Sequence, residues 1–182
     1  MEIKIIPLLE LLNNHSEQEV ESKLSTFYCE KNLDVQNFLR ENSIPYEKAH
    51  TARTYLLVDE TLDILAFYSL ALKTICLEEL VLTNGQKRKV KGYGNSKEDL
   101  YTGFLVGQLA RNDNCRKEEL TGNQILQFAI FQLIEIQNSI GGRFIVIDCV
   151  DELLKFYESN SFSKIGKEAR LNIMVKFILK TS

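Results

Sequence analysis

The chain has no close cysteine pair. Its four cysteines, Cys29, Cys76, Cys115 and Cys149, are far apart, and its two histidines, His15 and His50, lie far from the chain's best motifs. Zinc sites usually need closely spaced ligands, so no metal site is expected. The cysteines read as reduced core residues of a cytosolic protein. Long uncharged runs are also missing. The apolar start MEIKIIPLLELLNNH is broken by Glu2, Lys4 and Glu10, and no small-residue cleavage site follows it. Nothing approaches the roughly 20 apolar residues of a membrane helix. A soluble, cytoplasmic protein with no membrane partner is expected. Basic charge is not in excess either: the net charge is −3, so no global pull towards nucleic acid exists. Two prolines and nine glycines in 182 residues exclude a collagenous or low-complexity chain. One domain spanning 1–182 is the first expectation.

What is present reads as alternating strands and helices. Ile3–Ile6 fits a short strand. Ser16 and Glu19 form an S-x-x-E capping box, which predicts a helix carrying Val20, Leu24, Phe27 and Tyr28. A second helix is predicted over Asp34–Glu41, and Pro45 marks a loop. Thr54–Val58 and Ile64–Ile75, with the polar turn Asp59–Asp63 between them, predict a hairpin. Asn84–Lys97 reads as a loop with five basic residues, Lys87, Arg88, Lys89, Lys91 and Lys97. A buried strand over 104–110, a helix over Gly122–Asn138 ended by Gly141-Gly142, and a strand over Phe144–Ile147 follow. A connection of that length suits a parallel crossover. A short helix over Asp151–Ser159 and a strand over Leu171–Leu179 complete a mixed α/β sheet with helices on both faces.

The junction RKEELTGNQIL, Arg116–Leu126, is the first candidate site. Thr121-Gly122-Asn123-Gln124 is a T-x-x-Q capping box. The amides near Gly122 and Asn123 and the helix dipole would favour an anion there. Arg116, Lys117 and Thr121 could donate to phosphate oxygens. The plainer reading is a helix start and nothing more, and the Glu118-Glu119 pair favours it.

The order of features in the second half shifts that balance. Leu109-Ala110, the charged loop, Gly122, the strand RFIVIDC and then DELLKFYESNSF resemble the GNAT family, the acyl-coenzyme A-dependent N-acetyltransferases. Members carry a Q/R-x-x-G-x-G/A loop and an F-Y-x-x-x-G-F pattern. Here Arg116 takes the first loop position, Glu119 stands at the first glycine, and Gly122 matches the last after one inserted residue. Phe156 to Phe162 match the second pattern, with Ser161 where glycine is usual. Phe38-Leu39-Arg40 and Ala52-Arg53-Thr54-Tyr55 resemble the toxin-like bacterial branch.

The resemblance implies a mostly antiparallel sheet with a central, splayed parallel strand pair. It implies acetyl-coenzyme A as co-substrate, its pantetheine arm on backbone at Gln108, Leu109, Ala110 and Arg111. The pyrophosphate would meet Arg116, Lys117, Thr121, Gly122 and Asn123. Tyr157 would protonate the departing thiolate; its other reading is core packing. The acceptor would be a small-molecule, peptide or aminoacyl amine. Two alternatives stand beside this: a toxin-type enzyme acting on aminoacyl-tRNA, and a non-catalytic module of the same fold. The basic run Lys87–Lys91 reads first as a solvated tip and second as a nucleic-acid contact. A homodimer is open to the chain, and no general base is named.

Overall fold

The computed structural model describes residues 2–93 and 99–178. In chain order its elements are β1 (Lys4–Pro7), α1 (Leu8–Asn14), α2 (Glu17–Leu24), α3 (Leu33–Asn37), a π turn (Phe38–Asn42), α4 (Ser43–Lys48), β2 (Arg53–Val58), β3 (Ile64–Cys76), α5 (Asn84–Lys91), β4 (Leu100–Arg111), α6 (Gly122–Ile140), β5 (Phe144–Cys149), α7 (Leu154–Ser159), β6 (Ser163–Glu168) and β7 (Leu171–Phe177). The strands pair in the order β1-β2-β3-β4-β5-β7-β6. β4 and β5 are parallel, while β1-β2, β2-β3, β5-β7 and β6-β7 are antiparallel. This is the mixed sheet with a parallel pair and flanking helices that the sequence predicts. The chain packs as two compact units, Met1–Ala71 with Gly107–Phe131, and Leu72–Val106 with Gln132–Ser182.

The first unit has its own core, which includes Leu8, Leu24, Phe27, Leu39, Leu56 and Phe67, each fully buried. Burying such a side chain contributes about 1.5–3 kcal/mol. The Ser16 box forms as expected: the Glu19 amide donates to Ser16 Oγ, and the Ser16 amide donates to Glu19 Oε2 at 2.8 Å. The helix is shorter than predicted. It ends at Leu24, so Phe27 and Tyr28 lie beyond it. Phe27 turns inward against the Phe67 ring, centroids 5.1 Å apart, and Tyr28 lies under the Arg40 guanidinium. The helix expected over Asp34–Glu41 divides into α3 and the π turn. Pro45 does not mark a loop. It sits in the first turn of α4, where a missing amide costs no intrahelical bond. The β2-β3 hairpin forms with Tyr55 opposite Tyr68.

The second unit's core includes Ile75, Val90, Phe144, Val146, Ile165 and Val175. Here the structure corrects the sequence most. Residues 84–91 are a helix, not a loop, and Thr83 with Gln86 is a second T-x-x-Q capping box. The charge run hid it, because Val90 alone is buried. Lys97, placed in the same expected loop, lies outside the described residues, as does Leu179. β6 was not expected at all. Its sequence, SKIGKE, is polar except at the buried Ile165, as suits an edge strand. Two glycines are required by close approach. A Cβ on Gly103 would lie 2.2 Å from the Phe144 ring, and one on Gly142 2.3 Å from Phe104. All four cysteines are free, and Cys29, Cys115 and Cys149 are buried. Burial pushes those three thiols up from their ordinary range, which disfavours the thiolate form.

Candidate active site

The cofactor-side residues named from the sequence all belong to the first unit, and Tyr157 belongs to the second. At the end of β4 the Gln108 amide donates to Ser69 Oγ at 2.9 Å, and the Asn112 amide to Leu65 O at 2.8 Å. Both face β3. Strand alternation then turns the peptide groups of Leu109 and Arg111 to the other edge. The ladder to β5 joins Phe104 to Ile145 and Leu105 to Val146, and β4 runs on to Arg111. So Leu109 and Arg111 offer outward backbone, whereas the Gln108 amide is engaged and the Ala110 side chain is buried in the first core. Arg111 supports the loop instead of facing a ligand, its Nη1 donating to Leu120 O at 3.2 Å.

Sequence reasoning missed Asn112, which is 4% exposed. Its Nδ2 donates to Ile64 O at 2.8 Å and Thr26 O at 3.4 Å, and its Oδ1 accepts from the amides of Tyr28 and Asn114. It fixes the point where β4 becomes the loop. An asparagine just past a buried strand was the only available signal.

The loop closes on itself. Thr121 and Gln124 form the expected box: the Gln124 amide donates to Thr121 Oγ1 at 3.2 Å, and the Thr121 amide to Gln124 Oε1 at 2.9 Å. The Thr121 hydroxyl donates to Gln124 as well, at 2.8 Å. Arg116 is held by Glu119. Its Nη2 and Nε donate to Glu119 Oε1 at 2.6 and 3.0 Å, and its amide donates to Oε2 at 3.0 Å. Those bonds hold the Glu119 carboxyl below its usual range. Thr121 and Arg116 are therefore paired within the chain. Gly122 and Asn123, the first residues of α6, keep amides without intrahelical acceptors, and Lys117 is exposed. A cavity of about 350 Å³ lies beside the loop, and Asp59, Asp63 and Glu119 line it. Its carboxylates disfavour phosphate, which leaves the α6 start as the anion-facing side.

Tyr157, on α7, is 7% exposed. Its ring packs edge-on against Phe156 and Phe162, at 5.0 and 5.8 Å. Burial, and secondarily the nearby Cys149, pushes its phenol well above the ordinary value. Ser161 adopts φ +66°, the left-handed conformation that explains why glycine is usual in the resembled pattern. The two segments that resemble the toxin-like branch make contacts within the first unit. Arg53 pairs with Glu47 at 2.7 Å, and that carboxylate, 1% exposed, also accepts the Thr54 amide at 2.9 Å. Arg40 donates from Nε to Phe27 O at 2.8 Å.

No protein-family model matches the chain, and no curated protein sequence does. Solved structures do. A tyrosine-to-phenylalanine mutant of KacT superposes with a TM-score of 0.74 at 13% identity, covering 97% of this chain and 95% of that one. AtaT complexed with acetyl-methionyl-tRNAfMet gives 0.70 at 15% identity, covering 95% and 94%. A tyrosine-to-phenylalanine mutant of the AtaT toxin, bound to the C-terminus of the antitoxin AtaR and acetyl-CoA, gives 0.68 at 14% identity, covering 97% and 94%. The fold is GNAT-like. At these identities the likeness establishes the fold alone.

Proposed function

We propose that this protein is an acetyl-coenzyme A-dependent N-acetyltransferase. The observation that carries the reading is the end of β4. Its outward backbone at Leu109 and Arg111 leads into the capped start of α6, on a fold whose relative AtaT is solved with acetyl-CoA. The residues present fit that group. Backbone at Leu109 and Arg111 would take the pantetheine amides. The Gly122 and Asn123 amides and Lys117 would take the pyrophosphate.

Acetyl-coenzyme A would supply an acyl thioester that an amine attacks directly, forming C–N and breaking C–S. Tyr157 would give its phenol proton to the departing sulfur. Burial keeps that proton in place at neutral pH, since the phenol lies above its ordinary value of about 10. The acceptor ammonium would lose its protons to water, and the phenolate would regain one from solvent. Tyr157→Phe keeps the ring packing and removes the acid. Turnover should fall about a hundredfold with coenzyme A affinity unchanged. Full activity of Tyr157→Phe, measured as thiol release from acetyl-coenzyme A, would remove Tyr157 from the mechanism.

For the acceptor, aminoacyl-tRNA is the reading that the AtaT complex favours. α5 adds support, with Lys87, Arg88, Lys89 and Lys91 on one short helix. Expression should then arrest growth, and Tyr157→Phe should relieve it. Harmless expression of an active enzyme would turn the search to small amines or peptides.

A further inference from the structure

We infer that Glu119 is a built-in competitor for the phosphate-side donors of the loop, so that coenzyme A must displace its carboxylate from Arg116 to bind fully. The inference rests on the acetyltransferase reading above. Three donors converge on this one carboxylate: the Arg116 amide, Nε and Nη2. A backbone amide and a guanidinium, aimed together at two oxygens of an anion, are the groups that would otherwise meet a phosphate. The turn that brings them together is short. The Glu119 and Leu120 amides both donate back to Arg116 O, at 3.0 and 3.3 Å. Leu120 is fully buried and anchors the far side. Glu118 is next in sequence, is exposed and makes no hydrogen bond to Arg116. That gives the chain an internal control.

The test is calorimetric titration of coenzyme A, and of pantetheine, into the wild type, Glu119→Ala, Glu119→Gln and Glu118→Ala. Releasing an exposed bidentate pair should tighten coenzyme A by about fivefold in Glu119→Ala. Glu119→Gln should fall between that variant and the wild type, and it keeps the loop's shape should alanine unfold it. Pantetheine, which has no phosphate, should bind all four proteins alike, and Glu118→Ala should match the wild type. Equal coenzyme A affinity across the wild type and both Glu119 variants would overturn the inference. So would equal tightening in Glu118→Ala, which would mean general charge repulsion. No coenzyme A signal from any protein at millimolar ligand would overturn the acetyltransferase reading and the inference with it.

Discussion

Ser161 shows how one residue can keep a motif's shape while changing its letter. A left-handed non-glycine residue costs about 1–2 kcal/mol. Here it lets the chain turn from α7 so that the Phe162 amide donates to Tyr157 O at 3.0 Å. Ser161→Gly should therefore stabilise the protein by about 1 kcal/mol, read as a higher midpoint in chemical denaturation with an unchanged slope. A lower midpoint would mean that the serine side chain does more than tolerate the turn. Tyr157 was singled out in the sequence because the Phe156-Tyr157 pair stands at a fixed distance from Phe162, and its role stays a proposal. Its burial was not legible, since helical periodicity gives a face without saying how deeply that face is covered. The Glu119 contact was half legible. The spacing of Arg116 and Glu119 permits a pair, but only coordinates show the amide joining it.

Helices announce themselves when their start signals are local. Ser16 with Glu19, and Thr121 with Gln124, predicted their helices because each box spans four residues. The Thr83-Gln86 box was equally local, yet the charged run beyond it read as loop. Long-range polar contacts leave no such trace. Asn112 bonds segments more than 40 residues away, and Glu47 holds Arg53 and Thr54 from a separate helix. Glu47→Ala would leave the buried Thr54 amide without its acceptor and take the ion-pair partner from the half-exposed Arg53. The expected loss is about 2–3 kcal/mol, measurable by urea denaturation. A loss under about 0.5 kcal/mol would place it with ordinary surface substitutions. Gly103→Ala tests the β4-β5 pair: a methyl group 2.2 Å from the Phe144 ring should cost about 1–3 kcal/mol.

For the whole molecule, binding and stability are linked. Coenzyme A at about ten times its Kd should add about 1.4 kcal/mol. For a chain of this size that is a rise of about 3 °C in the melting temperature. A flat response up to millimolar ligand would favour the non-catalytic alternative. The tRNA reading makes a separate demand. Neutralising Lys87, Arg88 and Lys89 should weaken RNA binding and flatten its dependence on salt. An unchanged salt slope would return α5 to the role of a solvated helix.

The Thr121-Gln124 box has one more consequence. At the start of α6 the Thr121 and Gln124 amides are capped by the chain's own side chains, so the helix does not depend on a bound anion to begin. Stability of the scaffold and affinity for a ligand at this corner are therefore separable properties. Substitutions in the loop could strengthen or abolish ligand capture while the helix, and the strands it connects, stayed in place.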